Sequence, residues 1–113
     1  MKSYAKIFVD QPEGSLGLVF EVQDAVDARQ NDIVVEGQDV EIDIRRNPDA
    51  GQAEDFIGFP MLVEVYPKVE GATSAVIKAV ESIILALDAA GFSFATAADF
   101  EDLLPGRGRN VTF

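Results

Sequence analysis

The sequence predicts a mixed α+β fold: a βαββαβ ferredoxin-like sandwich, with a four-stranded antiparallel sheet carrying two helices on one face. Three observations lead there. In "VEIDIRR", Val40, Ile42 and Ile44 alternate with Glu41, Asp43 and Arg45, the period-two pattern of a strand with one dry and one wet face. In "TSAVIKAVESIILALDAAG", Val76, Val80, Ile83, Ile84 and Leu87 fall at i, i+4, i+7, i+8 and i+11, one continuous helical stripe. The remaining segments fill in the order strand, helix, strand, strand, helix, strand.

"YAKIFVD", Tyr4 to Asp10, is rich in β-branched and aromatic residues and is stopped by "QPEG", so it reads as the first strand. "SLGLVFEVQDAVDARQN" supports two readings. As a helix, Ser15 caps it and Leu16, Val19, Phe20 and Val26 follow a 3.6 period. As a strand, Leu18, Phe20 and Val22 alternate, and the fold becomes a curved sheet packed by one long helix. The helix is the reading carried forward here. "DIVVEGQDVEIDIRR" is the second strand, with Gly37 marking a bulge or bend. "FPMLVEVYPKV" is the third, with Met61, Val63 and Val65 on one side and Leu62, Glu64 and Tyr66 on the other. In the long helix, Thr73 or Ser74 offers an N-terminal cap and Gly91 a left-handed stop. "FSFATA" closes the sheet.

A chain of 113 residues suits a single domain spanning residues 1–113, because two cores would each be too small. With 48% hydrophobic and 26% charged residues, the composition is that of a globular protein. There is no cysteine, which excludes disulfides, zinc–thiolate sites and thiol catalysis, and no histidine, the usual acid/base group at neutral pH. The most apolar stretch, Ser82 to Ala98, is short, carries Asp88 and includes Gly91, so it reads as a buried amphipathic helix rather than a membrane span. No signal-peptide pattern is visible at the amino end, and the expected location is the cytoplasm.

The charge balance is distinctive. Twenty acidic against nine basic residues give −11, and between Asp10 and Asp55 thirteen acids face only Arg29, Arg45 and Arg46. Such a field repels nucleic-acid phosphates and anionic lipid and attracts a basic protein. The candidate partner-binding residues are accordingly Asp39, Glu41, Asp43 and Glu64, the last three forming an acidic stripe on the wet sheet face. Paired carboxylates there could also serve acid/base chemistry, provided that one were desolvated.

Asp99, Glu101 and Asp102 form a second acidic group. In "ADFEDLLP", Phe100, Leu103 and Leu104 fall at i, i+3 and i+4, so the acids read as the solvated side of a helical turn, with Asp99 placed to cap it or to favour its positive end, and with Pro105 and Gly106 stopping it. The D-x-[DN]-x-[DN]-G spacing of a calcium loop is absent, and no metal or cofactor is expected. "IRRNPD" reads as a strand end whose arginines neutralise nearby acids. "GRGRNVTF" carries too little positive charge for a nucleic-acid tail. No phosphate-binding, nucleophile-elbow or zinc-protease motif occurs.

Taken together, "VEIDIRRNPDA", "DFIGFPMLVEVYP", a helix ending in "DAAGF", and "ADFEDLLP" resemble small uncharacterised acidic bacterial proteins that close on Asp-Phe-Glu-Asp followed by Leu-Pro. The likeness covers roughly the last two thirds of the chain. It implies a compact α+β fold and a bacterial cytoplasm, and no activity. The expected function is a non-enzymatic protein–protein interaction module, in its most specific form an inhibitor or immunity protein for a basic partner. The alternative is a small enzyme or ligand-binding domain working with carboxylates alone.

Overall fold

The computed structural model describes residues 4–10, 29–31, 34–36, 40–52 and 55–111. In chain order the described strands are β1 (Ala5–Val9), β2 (Arg29–Asn31), β3 (Val34–Glu36), β4 (Val40–Arg46), β5 (Met61–Pro67) and β6 (Phe94–Ala97), with one α-helix, α1 (Thr73–Ala89), between β5 and β6. The strands form one sheet in the order β2-β3-β4-β5-β1-β6, every neighbouring pair antiparallel. The fold is therefore α+β, with the four longer strands forming an antiparallel sheet packed by a helix.

This is not the expected ferredoxin-like sandwich of four strands and two helices. The stretch read as a single strand bent at Gly37 is divided. Val34–Glu36 pairs antiparallel with β4, Glu36 opposite Glu41. Arg29–Asn31 then adds a further strand outside β3. The expected bulge or bend at Gly37 lies outside the described residues. The expected helix over Leu16–Val26 lies outside the described residues. Among those described there is one α-helix, not two.

Helix α1 lays Val76, Ala79, Val80, Ile83, Ile84 and Leu87 against the sheet, the stripe expected from the spacing. Their partners are alternate residues of four strands: Ala5, Ile7 and Val9; Ile42 and Ile44; Met61, Val63 and Val65; and Phe94. No side chain caps the helix start, where Ala72 rather than Thr73 or Ser74 holds the cap position. The other end closes as the glycine foretold. Gly91 has φ 85°, its N–H donates to Asp88 O (3.0 Å) and the Phe92 N–H donates to Leu87 O (2.9 Å). That pair of bonds is a Schellman stop, and only a glycine takes the left-handed position without strain.

The chain after β6 folds back over the same face. Phe100 and Leu104 enter the core, flanking a single 3-10 turn, Glu101–Leu103. A second 3-10 segment, Pro105–Gly108, contains Gly106, Arg107 and Gly108 at positive φ. Gly108 admits no side chain: a Cβ there would stand 2.8 Å from Thr96 Cβ and 3.1 Å from Leu104 Cδ1. With φ at 79°, Gly108→Ala adds backbone strain to that overlap. The expected loss is about 1–3 kcal/mol, read as a lowered urea midpoint with an unchanged slope. An unaltered midpoint would show that the close approach to Thr96 is absent.

Candidate functional site

Residues between the core-facing positions point to the opposite face of the sheet, and strand register sorts them into rows. One row runs Asp43, Glu64, Lys6, Ala97 across β4, β5, β1 and β6. The next runs Arg45, Leu62, Phe8, Ala95 and continues to Arg109 through an isolated antiparallel bridge. A third begins with Glu41 opposite Tyr66. Tyr66 stacks on Tyr4, the ring centroids 6.1 Å apart and the planes inclined by 23°.

The expected acidic stripe is only partly realised. Asp43 and Glu64 are direct cross-strand partners, and Glu41 lies two residues along β4 from Asp43, so register does gather the three. Glu64, however, is buried and forms an ion pair with Arg45, its carboxylate accepting from the guanidinium Nη2. The alternation of β5 marks Glu64 as wet. In the neighbouring row, Leu62 and Phe8 are buried as well. Of the three, Glu64 is thus the one both buried and already paired with a cation. Asp39 lies outside the described residues. Arg45 acts as the neutralising strand end that "IRRNPD" suggests.

The lower part of this face is closed by apolar and polar anchors. Phe56, in a 3-10 turn spanning Phe56–Gly58, meets Phe8 edge to face at 5.4 Å, and the Arg109 guanidinium lies 5.3 Å from the Phe56 ring centre. Asn47, buried after β4, fixes that turn. Its Nδ2 donates to Ile57 O (2.6 Å) and Phe59 O (2.8 Å), and its Oδ1 accepts from the Asp49 N–H (3.0 Å). "NPD" reads as a loop in sequence; that its asparagine is the buried clasp of the β4–β5 connection depends on carbonyls ten and twelve residues away.

Asp99, Glu101 and Asp102 fall on and beside the 3-10 turn rather than on an α-helical turn. The cap position belongs to Phe100, with no side-chain cap bond, which corrects the role expected of Asp99. Leu103, expected inside, is 63% exposed, because the turn ends at Leu104 in extended backbone (φ −93°, ψ 150°) and only Phe100 and Leu104 face inward. Asp102 accepts from Arg107 Nε (3.0 Å) and Nη2 (2.8 Å) on the open surface. Among the described residues, no group of three or more His, Cys, Asp or Glu side chains could hold a metal ion.

One recess opens on this side of the sheet, about 300 Å³ in volume and lined by Tyr4, Lys6, Ala97, Ala98, Asp99 and Glu101. Its construction is simple. Tyr4, just before β1, and Lys6 both line the recess, Ala97 stands directly across from Lys6, and the chain after β6 brings Asp99 and Glu101 to it. Two alanines in succession leave room where larger residues would fill the edge. Sequence reading missed Tyr4, Lys6, Ala97 and Ala98. The available signal was the lone lysine in "YAKIFVD", placed two residues from a tyrosine and hence on the same face.

No protein-family model, curated protein or solved structure matches the chain. Among the described residues no helix is long and apolar enough to cross a membrane.

Proposed function

We propose that this chain is a non-enzymatic protein–protein interaction module whose acidic surface docks a basic protein partner, as an inhibitor or immunity protein would. The observation that carries the reading is the local imbalance between Asp10 and Asp55: thirteen acids against three arginines within a chain of net charge −11. Arg45, one of those three, is committed to Glu64, which leaves the field of the remaining acids less compensated than the count implies. Glu41 and Asp43 lie half-buried along β4, followed by exposed Asp49 and half-buried Asp55. Those four acids, rather than buried Glu64, form the docking edge. Its likeness to small acidic bacterial proteins supports a bacterial cytoplasmic setting for the same role.

An acidic docking edge acts on association before contact, and its field is screened beyond about 8 Å at physiological ionic strength. With a basic partner recovered from native lysate and purified, stopped-flow association is expected to slow steeply as salt rises. Reversing Asp39, Glu41 and Asp43 to lysine should lower the association rate more than it raises the dissociation rate. Kinetics indifferent to both salt and charge reversal would refute docking through this edge. The second reading, a ligand-binding domain, draws on the mixed-charge recess at the β6 end of the same sheet face.

A further inference from the structure

We propose that the recess at the end of β6 binds a small zwitterion: an α-amino acid with a planar or apolar side chain. The site contains both signs of charge and an apolar wall within about 300 Å³, at the small end of ligand pockets, which run to roughly 300–1,000 Å³. Lys6 supplies an ammonium for a carboxylate, and Glu101 a carboxylate for an ammonium. Tyr4, steadied by its stack on Tyr66, and the methyl groups of Ala97 and Ala98 supply surface for the side chain.

The electrostatics favour two charges on the ligand. Glu64, directly across from Lys6, is engaged by Arg45, so the neighbouring carboxylate of that row already has its own cation. Asp99 and Tyr4 already make interactions within the chain and serve as walls. A ligand with one charge would leave either Lys6 or Glu101 facing it without compensation, whereas a zwitterion satisfies both. This proposal does not rest on the docking function, which uses β4.

The test uses the full chain with three probes of one shape: L-phenylalanine, phenethylamine, which lacks the carboxylate, and 3-phenylpropionate, which lacks the amine. Calorimetry is expected to show each single-charge analogue binding about tenfold or more weaker than L-phenylalanine. Amide shifts in nuclear magnetic resonance spectra should centre on Ala97, Ala98 and Glu101. Lys6→Gln should bring L-phenylalanine down to the level of phenethylamine while leaving phenethylamine unchanged. Glu101→Gln should do the same relative to 3-phenylpropionate. Absence of L-phenylalanine binding at millimolar concentration, equal binding of all three probes, or shifts centred elsewhere would each overturn the proposal. The wild-type comparison decides even if a variant fails to fold, and none of these outcomes bears on salt-dependent docking through β4.

Discussion

Phe100→Ala is expected to lower stability by about 3–5 kcal/mol, the largest effect of any substitution in the terminal segment. Phe100 is 1% exposed and joins the same core as Ile84, Leu87 and Leu104, although it belongs to a short turn outside the main helix and strands. Removing the ring withdraws its contacts and leaves a cavity between β6, α1 and the returning chain. The turn cannot collapse freely into that space. Gly108 is pressed against Thr96 on one side, and Asn110 clips the segment on the other, accepting from the Phe94 N–H (2.8 Å) and donating to Phe92 O (2.8 Å) and Asp88 (3.0 Å). By contrast, Asp102→Asn should stay within roughly 0.5 kcal/mol, since its pair with Arg107 is open to water. Urea unfolding of the two variants checks the order. Equal midpoints, or a larger loss at Asp102, would show that the segment is held by its acids and not by its ring.

That contrast shows which information the sequence makes legible. Periodicity reports what a residue does relative to its own element. Val76 to Leu87 and Val40 to Ile44 were readable because each stripe faces one continuous core. The burial of Phe100 was readable as well, from its spacing to Leu104. Leu103 was not, because a 3-10 turn ending in extended backbone carries no 3.6-residue face.

The candidate site lies further from sequence because its parts meet only through strand order. Lys6 and Ala97 are ninety-one positions apart and adjacent only when β1 lies beside β6. Glu64 sits at a position that alternation marks as wet, and nothing within β5 announces its pairing with Arg45 on the neighbouring strand or the buried Leu62 and Phe8 of the next row. Asn47 is similar: its partners are backbone carbonyls, which have no residue identity for a sequence pattern to register.

The Glu64–Arg45 pair makes a further expectation, and an asymmetric one. The Glu64 side chain is 4% exposed and that of Arg45 is 48% exposed. Deleting the arginine leaves a carboxylate in the sheet without its guanidinium, whereas deleting the carboxylate leaves an arginine that can turn to water. Breaking a fully buried pair costs about 3–5 kcal/mol, and the half-exposed guanidinium reduces that here to about 2–4 kcal/mol for Arg45→Met. Glu64→Gln should cost clearly less, because glutamine keeps the shape and still accepts a hydrogen bond. The double substitution Arg45→Met with Glu64→Leu should recover most of the loss, since Leu62 and Phe8 already provide apolar neighbours in the adjacent row. A double-mutant cycle in urea, with Glu64→Leu added as the second single substitution, measures the coupling. Equal costs for the two single substitutions, or strict additivity in the double, would mean that Glu64 does not depend on Arg45 for its place in the sheet.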